Sequence, residues 1–526
     1  MSSTFHGIET AKRSLFTQTA ALNTTGHNIA NANTAGYSRQ VVSMTASRPM
    51  EYPGLSRSVA PGQLGTGVEF TSITRIRQSY LDDQFRNESK SLGGWEIQTD
   101  TLSKLESIMN EPSESGIRTV LDNFWKSWSD LSKDPESVTS RKIVRENAIA
   151  LTDAFNQTSR QLSDLSADLT NNIQVKVDEI NSITQTIANL NSEIQRVEGL
   201  GDDANDLRDQ RDLLTDDLSK IVNITVLNTA QGYNISIGGI ELTAGGATTK
   251  ITYDTLDEAF GNGDGTGDLK NGEVFGMFFS KEKYIADYQK QLDVLANTVA
   301  NGDVTITIPA GSILPEGTTL RDENGNDIQF AGPARELTKD IKVIVNGLNG
   351  LHKLGYTFST PAKNGEDFFT SGSGEITASS IRLNANIAAD ASLIATSLRT
   401  SGTGQNETAV KGNNTLAVLM FALKDNKFSF SSTGNGVTSG SIDDFYRSVV
   451  GQLGVQSQEA MRQLNNQQVL VEQVESRRQS ISGVSIDEEM SNMIKYQHAY
   501  GAASRFMTAY DEMLEKLING TGTVGR

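Results

Sequence analysis

Both ends of this chain carry heptad repeats. Ile8, Leu15, Leu22 and Ile29 recur at every seventh position near the start, and Ile486, Met493, Tyr500, Met507 and Leu514 do the same near the finish. A second C-terminal column, Tyr496, Ala503, Tyr510 and Leu517, stands three residues after the first. Spacings that alternate between three and four draw a narrow apolar stripe down one side of a helix, which suits a seam against another helix. A stripe that narrow buries too little to hold a lone helix in shape. The ends therefore need partners, either each other or a neighbouring molecule, and a chain built this way reads as part of an assembly.

The body between them is large: 526 residues allow several domains with real cores. Lys and Arg total 46 against 64 Asp and Glu, a net charge of −18. A surface that acidic repels nucleic acid and anionic lipid, so neither is expected as a partner. Cysteine is absent, which excludes disulfides and thiolate metal sites. No apolar run is long enough to span a bilayer. Met1-Ser2-Ser3-Thr4-Phe5-His6 lacks the basic-then-apolar order of a Sec-type signal peptide.

Residues 4–32 read as one amphipathic helix, closed by the Asn-rich run 27–37, where Gly36 favours a left-handed turn. Residues 40–44 look extended, and a Pro/Gly-rich loop follows over 48–67. The stretch 67–220 is expected to be helical, broken at Pro112 with Gly116 and at Asp134-Pro135, with one long helix over 136–198 and a charged helix over 206–220. Residues 221–253 change to period two, with a turn at Gly238-Gly239. A helix over 274–301, strands over 304–330 with a turn at Asn324-Gly325, a helix over 336–354 and a mixed stretch over 356–440 follow. Helices over 441–482 and 485–519 finish the chain. The fold class this predicts is mainly α with β-rich central segments. It is an elongated rod of long helices with paired N- and C-terminal coiled-coil helices and discontinuous domains. The expected division is 1–58 with 484–526 as a terminal assembly domain, and 59–302, 337–355 and 441–483 as a helical rod carrying hairpins at 221–253. A small β insertion at 303–336 and a mixed outer region at 356–440 complete it.

The residues that close the first helix, Asn23-Thr24-Thr25-Gly26-His27-Asn28-Ile29-Ala30-Asn31-Ala32-Asn33-Thr34-Ala35-Gly36-Tyr37-Ser38-Arg39, resemble the N-terminal signature of the bacterial flagellar axial proteins, the rod, hook and hook-associated proteins. Ser482-Gly483-Val484-Ser485-Ile486-Asp487-Glu488-Glu489-Met490, with Tyr496-Gln497-His498-Ala499-Tyr500, resembles their C-terminal segment. Three further stretches, Asp206-Leu207-Arg208-Asp209-Gln210-Arg211-Asp212, Gly365-Glu366-Asp367-Phe368-Phe369 and Ser480-Ile481-Ser482-Gly483-Val484, resemble the hook-associated protein 1 branch of that family. The resemblance implies a structural subunit at the junction of hook and filament, exported without a cleaved signal through the flagellum's own type III apparatus and located outside the cell. It implies terminal segments that order on assembly. It implies self-association in a ring or tubular lattice, the hook protein and a second junction protein as neighbours, and an export chaperone on the C-terminal helix. The candidate assembly interface is Ile8, Leu15, Leu22, Ile29, Asn31, Asn33, Gly36 and Tyr37 at one end. At the other it is Met493, Tyr496, Tyr500, Ala503, Met507, Tyr510, Leu514 and Leu517.

The residues offer little to any other chemistry. His6, His27, His352 and His498 show no metal-binding spacing, and neither a nucleophile elbow nor a phosphate loop is present. No catalytic residue, cofactor or metal is expected, and the many carboxylates read as solvated surface. Residues 262–273 partly fit a calcium loop, with Asp264, Gly267, Leu269 and Glu273 in place. Asn262 stands where the first acidic ligand belongs, however, so the stretch reads as a Gly-rich connection. Phe124, Trp125, Trp128 and Leu131, with Leu121, read as core between rod helices. Met493 and Met507 suit either a seam or a chaperone groove, since methionine adapts to several partners. The alternatives are a hook or distal rod subunit, against which the long helical stretch argues, and a soluble coiled-coil adaptor.

Overall fold

The computed structural model describes residues 5–51, 62–109, 116–372, 374–402, 404–430 and 437–520. Pro53, Gly54 and Pro61 of the expected loop, and the expected break at Pro112, lie outside the described residues. Along the chain, α1 (His6–Ala30) leads into β1 (Gln40–Ala46) and β2 (Val68–Arg75), then α2 (Ser79–Met109), α3 (Ile117–Lys133), α4 (Val138–Glu198) and α5 (Asn205–Ile221). Strands β3 (Ile224–Thr229), β4 (Gly232–Ile237), β5 (Ile240–Ala244) and β6 (Ala247–Thr248) precede α6 (Tyr253–Phe260). One continuous helix then runs through α7 (Glu273–Phe279), a π turn (Ser280–Ile285) and α8 (Ala286–Asn301). Strands β7 (Asp303–Ile308), β8 (Thr318–Asp322), β9 (Asp327–Phe330) and β10 (Ile341–Asn346) come before α9 (Gly347–Lys353). Short elements follow: β11 (Phe369–Thr370), β12 (Arg382–Leu383), α10 (Ala385–Ala389), β13 (Thr400–Ser401), β14 (Thr408–Ala409), α11 (Thr415–Ala422), β15 (Phe428–Ser429) and β16 (Ser439–Gly440). The long helices α12 (Ile442–Ser482) and α13 (Ile486–Gly520) end the described chain.

The residues divide into two compact units, each gathered from separate stretches: 1–94, 174–275 and 465–526 in one, 95–173 and 276–464 in the other. In the first unit the four-stranded sheet β3-β4-β5-β6 is antiparallel throughout. Its tight turn is where the sequence puts it. Gly238 and Gly239 take φ of +51° and +93°, the left-handed geometry that a two-residue hairpin loop requires and that glycine adopts without strain. Asn191 of α4 ties this sheet down, donating to the carbonyls of Tyr233 and Gly245 and accepting from the Tyr233 amide. The C-terminal half of α4 buries Val177, Ile180, Ile187 and Ile194 in this unit, the apolar positions its periodicity marks.

The stretch 68–75, expected as helix, is strand β2. It pairs antiparallel with β1 along its full length, from Gln40 opposite Arg75 to Ala46 opposite Val68. The run Val-Glu-Phe-Thr-Ser-Ile-Thr-Arg is rich in branched and aromatic residues, which suit a pleated surface, and its partner strand supplies what local periodicity cannot.

In the second unit a six-stranded sheet has the order β16-β15-β7-β10-β8-β9. Its central strand β10 corrects the helix expected over 336–354. Residues 341–346 alternate in burial and bond to β7 on one side and β8 on the other, and only 347–353 are helical. Ile341, Val343, Ile344 and Val345 are β-branched, and an adjacent pair of strands outweighs a weak helical pattern. Asn324-Gly325 lies in the β8–β9 turn, with Gly325 at φ +88°. Phe124 and Trp128 are fully buried, and their ring partners include a loop motif as well as helices. Their rings meet Phe368 at 6.1 and 5.6 Å, and Phe124 meets Phe369 at 5.9 Å. The Gly-Glu-Asp-Phe-Phe motif is thus the other half of this aromatic core. His352 joins it, edge to face with Phe368 at 5.4 Å. Arg141, also buried, donates to the carbonyls of Pro135 and Ile394 and to the Thr396 hydroxyl, and its guanidinium lies 4.0 Å over the Phe358 ring.

Candidate functional site

Helices α1 and α13 pair in the first unit, as the heptads imply. Of the candidate positions on α13, Met493, Tyr496, Ala503, Met507, Tyr510 and Leu514 are half-buried, while Tyr500 and Leu517 are exposed. On α1 the fully buried positions are Gly7, Ala11, Thr17, Ala21, Thr24, Thr25 and Asn28. The Ile8, Leu15, Leu22 and Ile29 column is only half-buried. One residue turns a helix by about 100°, so this column runs beside the line Gly7, Ala21, Asn28 rather than along it. Small residues occupy the face because the helices approach closely: a Cβ on Gly7 would fall within 2.4 Å of the Tyr510 ring. The adjoining flank of α1 lies on β2 and the segment before it, where His6 Nε2 bonds the Gly65 carbonyl at 2.9 Å and Thr17 Oγ1 donates to the Val68 carbonyl at 3.5 Å.

The Asn-rich turn is built by capping. The Asn31 amide and side chain both return to the His27 carbonyl, and Thr34 donates to Asn31 Oδ1. Gly36 stands at φ +76°, with Leu213 of α5 packed where a side chain would grow. Asn33 is exposed and remains available for a contact outside the chain. Asn28, at 1% exposure, uses its whole amide. Nδ2 donates to the Gln40 carbonyl (2.9 Å) and to Glu489 Oε2 (3.1 Å), and Oδ1 accepts from the Tyr37 hydroxyl (2.8 Å) and the Gln40 amide (3.0 Å). Glu489, at 2% exposure, takes Arg39 Nε on Oε1 at 2.8 Å, and Arg39 also reaches Glu488 and donates its backbone amide to the Ser482 carbonyl. Burial, and then the nearby Asp206, Asp209 and Glu489, hold the Tyr37 hydroxyl well above the usual phenol range, so it stays a donor. The N-terminal signature and the C-terminal segment are therefore two halves of one clasp.

Below the clasp lies a charged group that is buried, where solvated carboxylates are expected. Helix α5 buries its charged face: Asp209, Arg211, Asp212 and Asp216 are inside, while Leu207, Leu213 and Leu214 are half-exposed. Arg75 bridges Asp209 (2.6 Å) and Asp212 (2.9 Å), and Arg77 grips Asp82 with two bonds (2.8 and 2.9 Å). Arg86 and Arg478 both meet Asp216, and the Tyr233 hydroxyl donates to Asp212 at 2.6 Å beneath the stacked Arg211. Burial works against the Asp212 anion, but Arg77, Arg75 and Tyr233 outweigh it and keep its carboxyl below the usual range. The only sequence signal for this network was the Asp206–Asp212 motif, whose partners lie far away along the chain. Among the described residues no cluster of three or more His, Cys, Asp or Glu side chains could hold a metal. Asp264 Oδ1 accepts from the Thr266 amide and hydroxyl, and Glu273 pairs with Lys176, so the carboxylates of Asp264 and Glu273 are both engaged. No helix is long and apolar enough to cross a membrane among the described residues.

Paired terminal helices that carry signature motifs at their junction define the class of flagellar axial proteins. Residues 8–37 match the family model described as flagella basal body rod protein, and residues 475–520 match the C-terminal domain of the flagellar basal body rod FlgEFG proteins. Residues 102–302 match the helical domain of flagellar hook-associated protein FlgK. Flagellar hook-associated protein 1 of Bacillus subtilis is 35% identical over the full length of both chains. That of Escherichia coli is 26% identical over 97% of this chain and 99% of its own. The structure of the flagellar hook junction protein FlgK from Burkholderia pseudomallei covers 77% of this chain and all of its own, with a TM-score of 0.51 at 14% identity, and shows the same fold. The chain belongs to the flagellar hook-associated protein 1 family, a structural family and not an enzyme family.

Proposed function

We propose that this chain forms the junction between hook and filament, assembling through α1 and α13 into a ring or tubular lattice. The observation that carries this is the apolar surface left open on the terminal pair. Phe16 on α1 is 63% exposed, and Met490, Ile494, Phe506 and Met513 on α13 are exposed as well. Apolar side chains on both helices of one pair are costly in water and suit burial against neighbours. The half-buried Ile8, Leu15, Leu22 and Ile29 column would close in the same contact, with Asn33 and the cap beside it. Hook protein on one side and a second junction protein on the other are the neighbours that this place requires. Before assembly an export chaperone would cover α13, whose methionines suit an adaptable contact, and the type III apparatus would carry the chain outside the cell.

Electron microscopy of cells lacking the protein tests this reading. Hooks without filaments, with filament protein shed into the medium, are expected. Full-length filaments on those cells would exclude it.

A further inference from the structure

We propose that Asn28 and Glu489 set the register in which α1 and α13 pair. The need for such a device follows from the seam. Its α1 side presents Gly7, Ala11, Ala21 and Thr25, small residues over which a partner helix meets few obstacles to sliding. Two contacts fix where it stops. Gly7 receives the Tyr510 ring at one end, and Asn28 bonds Glu489 at the other. The two helices are therefore antiparallel, and the interval from 7 to 28 on α1 is the same three heptads as that from 489 to 510 on α13. The layers between follow from the spacing: Ser14 faces Ala503, and Ala21 faces Tyr496.

A slip of one heptad, about 10 Å along the axis, breaks both contacts. In one direction Glu489 moves opposite Ala21, where its carboxylate has no donor, and Tyr496 moves opposite Ser14. In the other direction Asn28 meets Tyr496, and Tyr510 meets Ser14. Either way a buried polar group loses its partner, and that penalty is the means by which one polar seam residue selects a register at some expense in stability. Arg39 completes the device by holding the far oxygen of Glu489, and its own amide is tied to Ser482, so the β1 end of the clasp and the start of α13 cannot shift independently. The apolar side chains exposed for neighbours then face one way in every copy.

The inference rests on the fold rather than on the place of the protein in the flagellum, and the purified full-length chain tests it. The absence of native cysteine gives a clean background. Three double variants are cross-linked with a short bifunctional thiol reagent at a concentration where the chain is monomeric: Ser14→Cys with Ala503→Cys, Ser14→Cys with Tyr496→Cys, and Ser14→Cys with Tyr510→Cys. The first should cross-link and the other two should not. Adding Asn28→Leu and Glu489→Leu, which removes both polar partners together and leaves the helices able to pair, should abolish the preference, so that slipped pairs cross-link alongside the first. Restoring Asn28 with Glu489→Gln, which keeps an acceptor for it, should restore the preference. Slipped cross-links in the parent chain, an unchanged preference in the Leu variants, or loss of every cross-link at unchanged helix content would each overturn the proposal. Normal filaments on cells lacking the protein would overturn the junction reading and leave this one standing.

Discussion

Asp212→Ala probes the buried charge beneath the clasp. Its carboxylate is 1% exposed, accepts from Arg75 at 2.9 Å and Tyr233 at 2.6 Å, and lies 3.6 Å from Arg77. The cluster sets five arginines (Arg75, Arg77, Arg86, Arg211, Arg478) against four aspartates (Asp82, Asp209, Asp212, Asp216). With Glu475 on Arg478 at 2.9 Å the charges balance, and removing Asp212 leaves an excess of positive charge. Arg75 keeps Asp209 and Arg77 keeps Asp82, but Arg211 loses its nearest anion and the Tyr233 hydroxyl its acceptor. Breaking a buried pair from one side costs about 3–5 kcal/mol, a large share of a net stability of about 5–15 kcal/mol. At about 2–4 °C per kcal/mol, the transition of the first unit should fall by on the order of 10 °C. Asp212→Asn, which keeps the acceptor and removes the charge, should fall less. The assay is thermal unfolding of the full chain followed by far-ultraviolet circular dichroism and by tryptophan fluorescence together. Trp95, Trp125 and Trp128 all lie in the second unit, so fluorescence reports that unit while dichroism reports both. A shift confined to the dichroism transition is expected. A cost under about 1 kcal/mol, the range of exposed pairs, would show that these arginines are solvated and would refute the reasoning.

His352 is fully buried, bonds the Glu366 carbonyl through Nδ1 at 2.6 Å and accepts the Ala395 amide on Nε2 at 2.9 Å, and burial pulls its pKa down to about 4. Its folded value lies below the unfolded one near 6.5, so the second unit should lose roughly 3 kcal/mol as pH falls from about 6.5 to 4. His352→Gln should flatten that slope in denaturation followed by tryptophan fluorescence, and an equal slope in the variant would count against it. Leu514→Asp places a charge in the seam. It should leave the tryptophan-reported melting temperature nearly unchanged while abolishing filament attachment, with secretion measured alongside because a chaperone on the same stripe would be affected too; secreted protein and normal filaments together would remove α13 as the assembly contact. The loop at 262–273 should bind no calcium at physiological concentration, since Asn262 supplies no first carboxylate and Glu273 is held by Lys176. Micromolar binding in titration calorimetry, lost on Glu273→Ala, is the contrary result.

Much of the fold was written locally. The heptads at both ends, the long helix α4, and the turns at Gly238-Gly239 and Asn324-Gly325 are statements about residues within a few positions of one another, and local periodicity and left-handed glycine suffice to read them. The signature motifs placed the chain in its family for the same reason. Three matters were decided only by the tertiary structure. Strands β2 and β10 exist because a partner strand lies beside them, and pairing energy has no counterpart in a single run of sequence. The charged face of α5 is buried because Arg75, Arg77, Arg86 and Arg478, more than a hundred residues away on either side, converge on it; nothing in Asp209, Asp212 or Asp216 alone distinguishes a buried carboxylate from a solvated one. The buried line of α1 runs through Gly7, Ala21 and Asn28, beside the half-buried Ile and Leu column, because how closely two helices approach depends on both surfaces. The apolar column announced that α1 needed a neighbour, and only the packed pair determined which of its faces α13 would take.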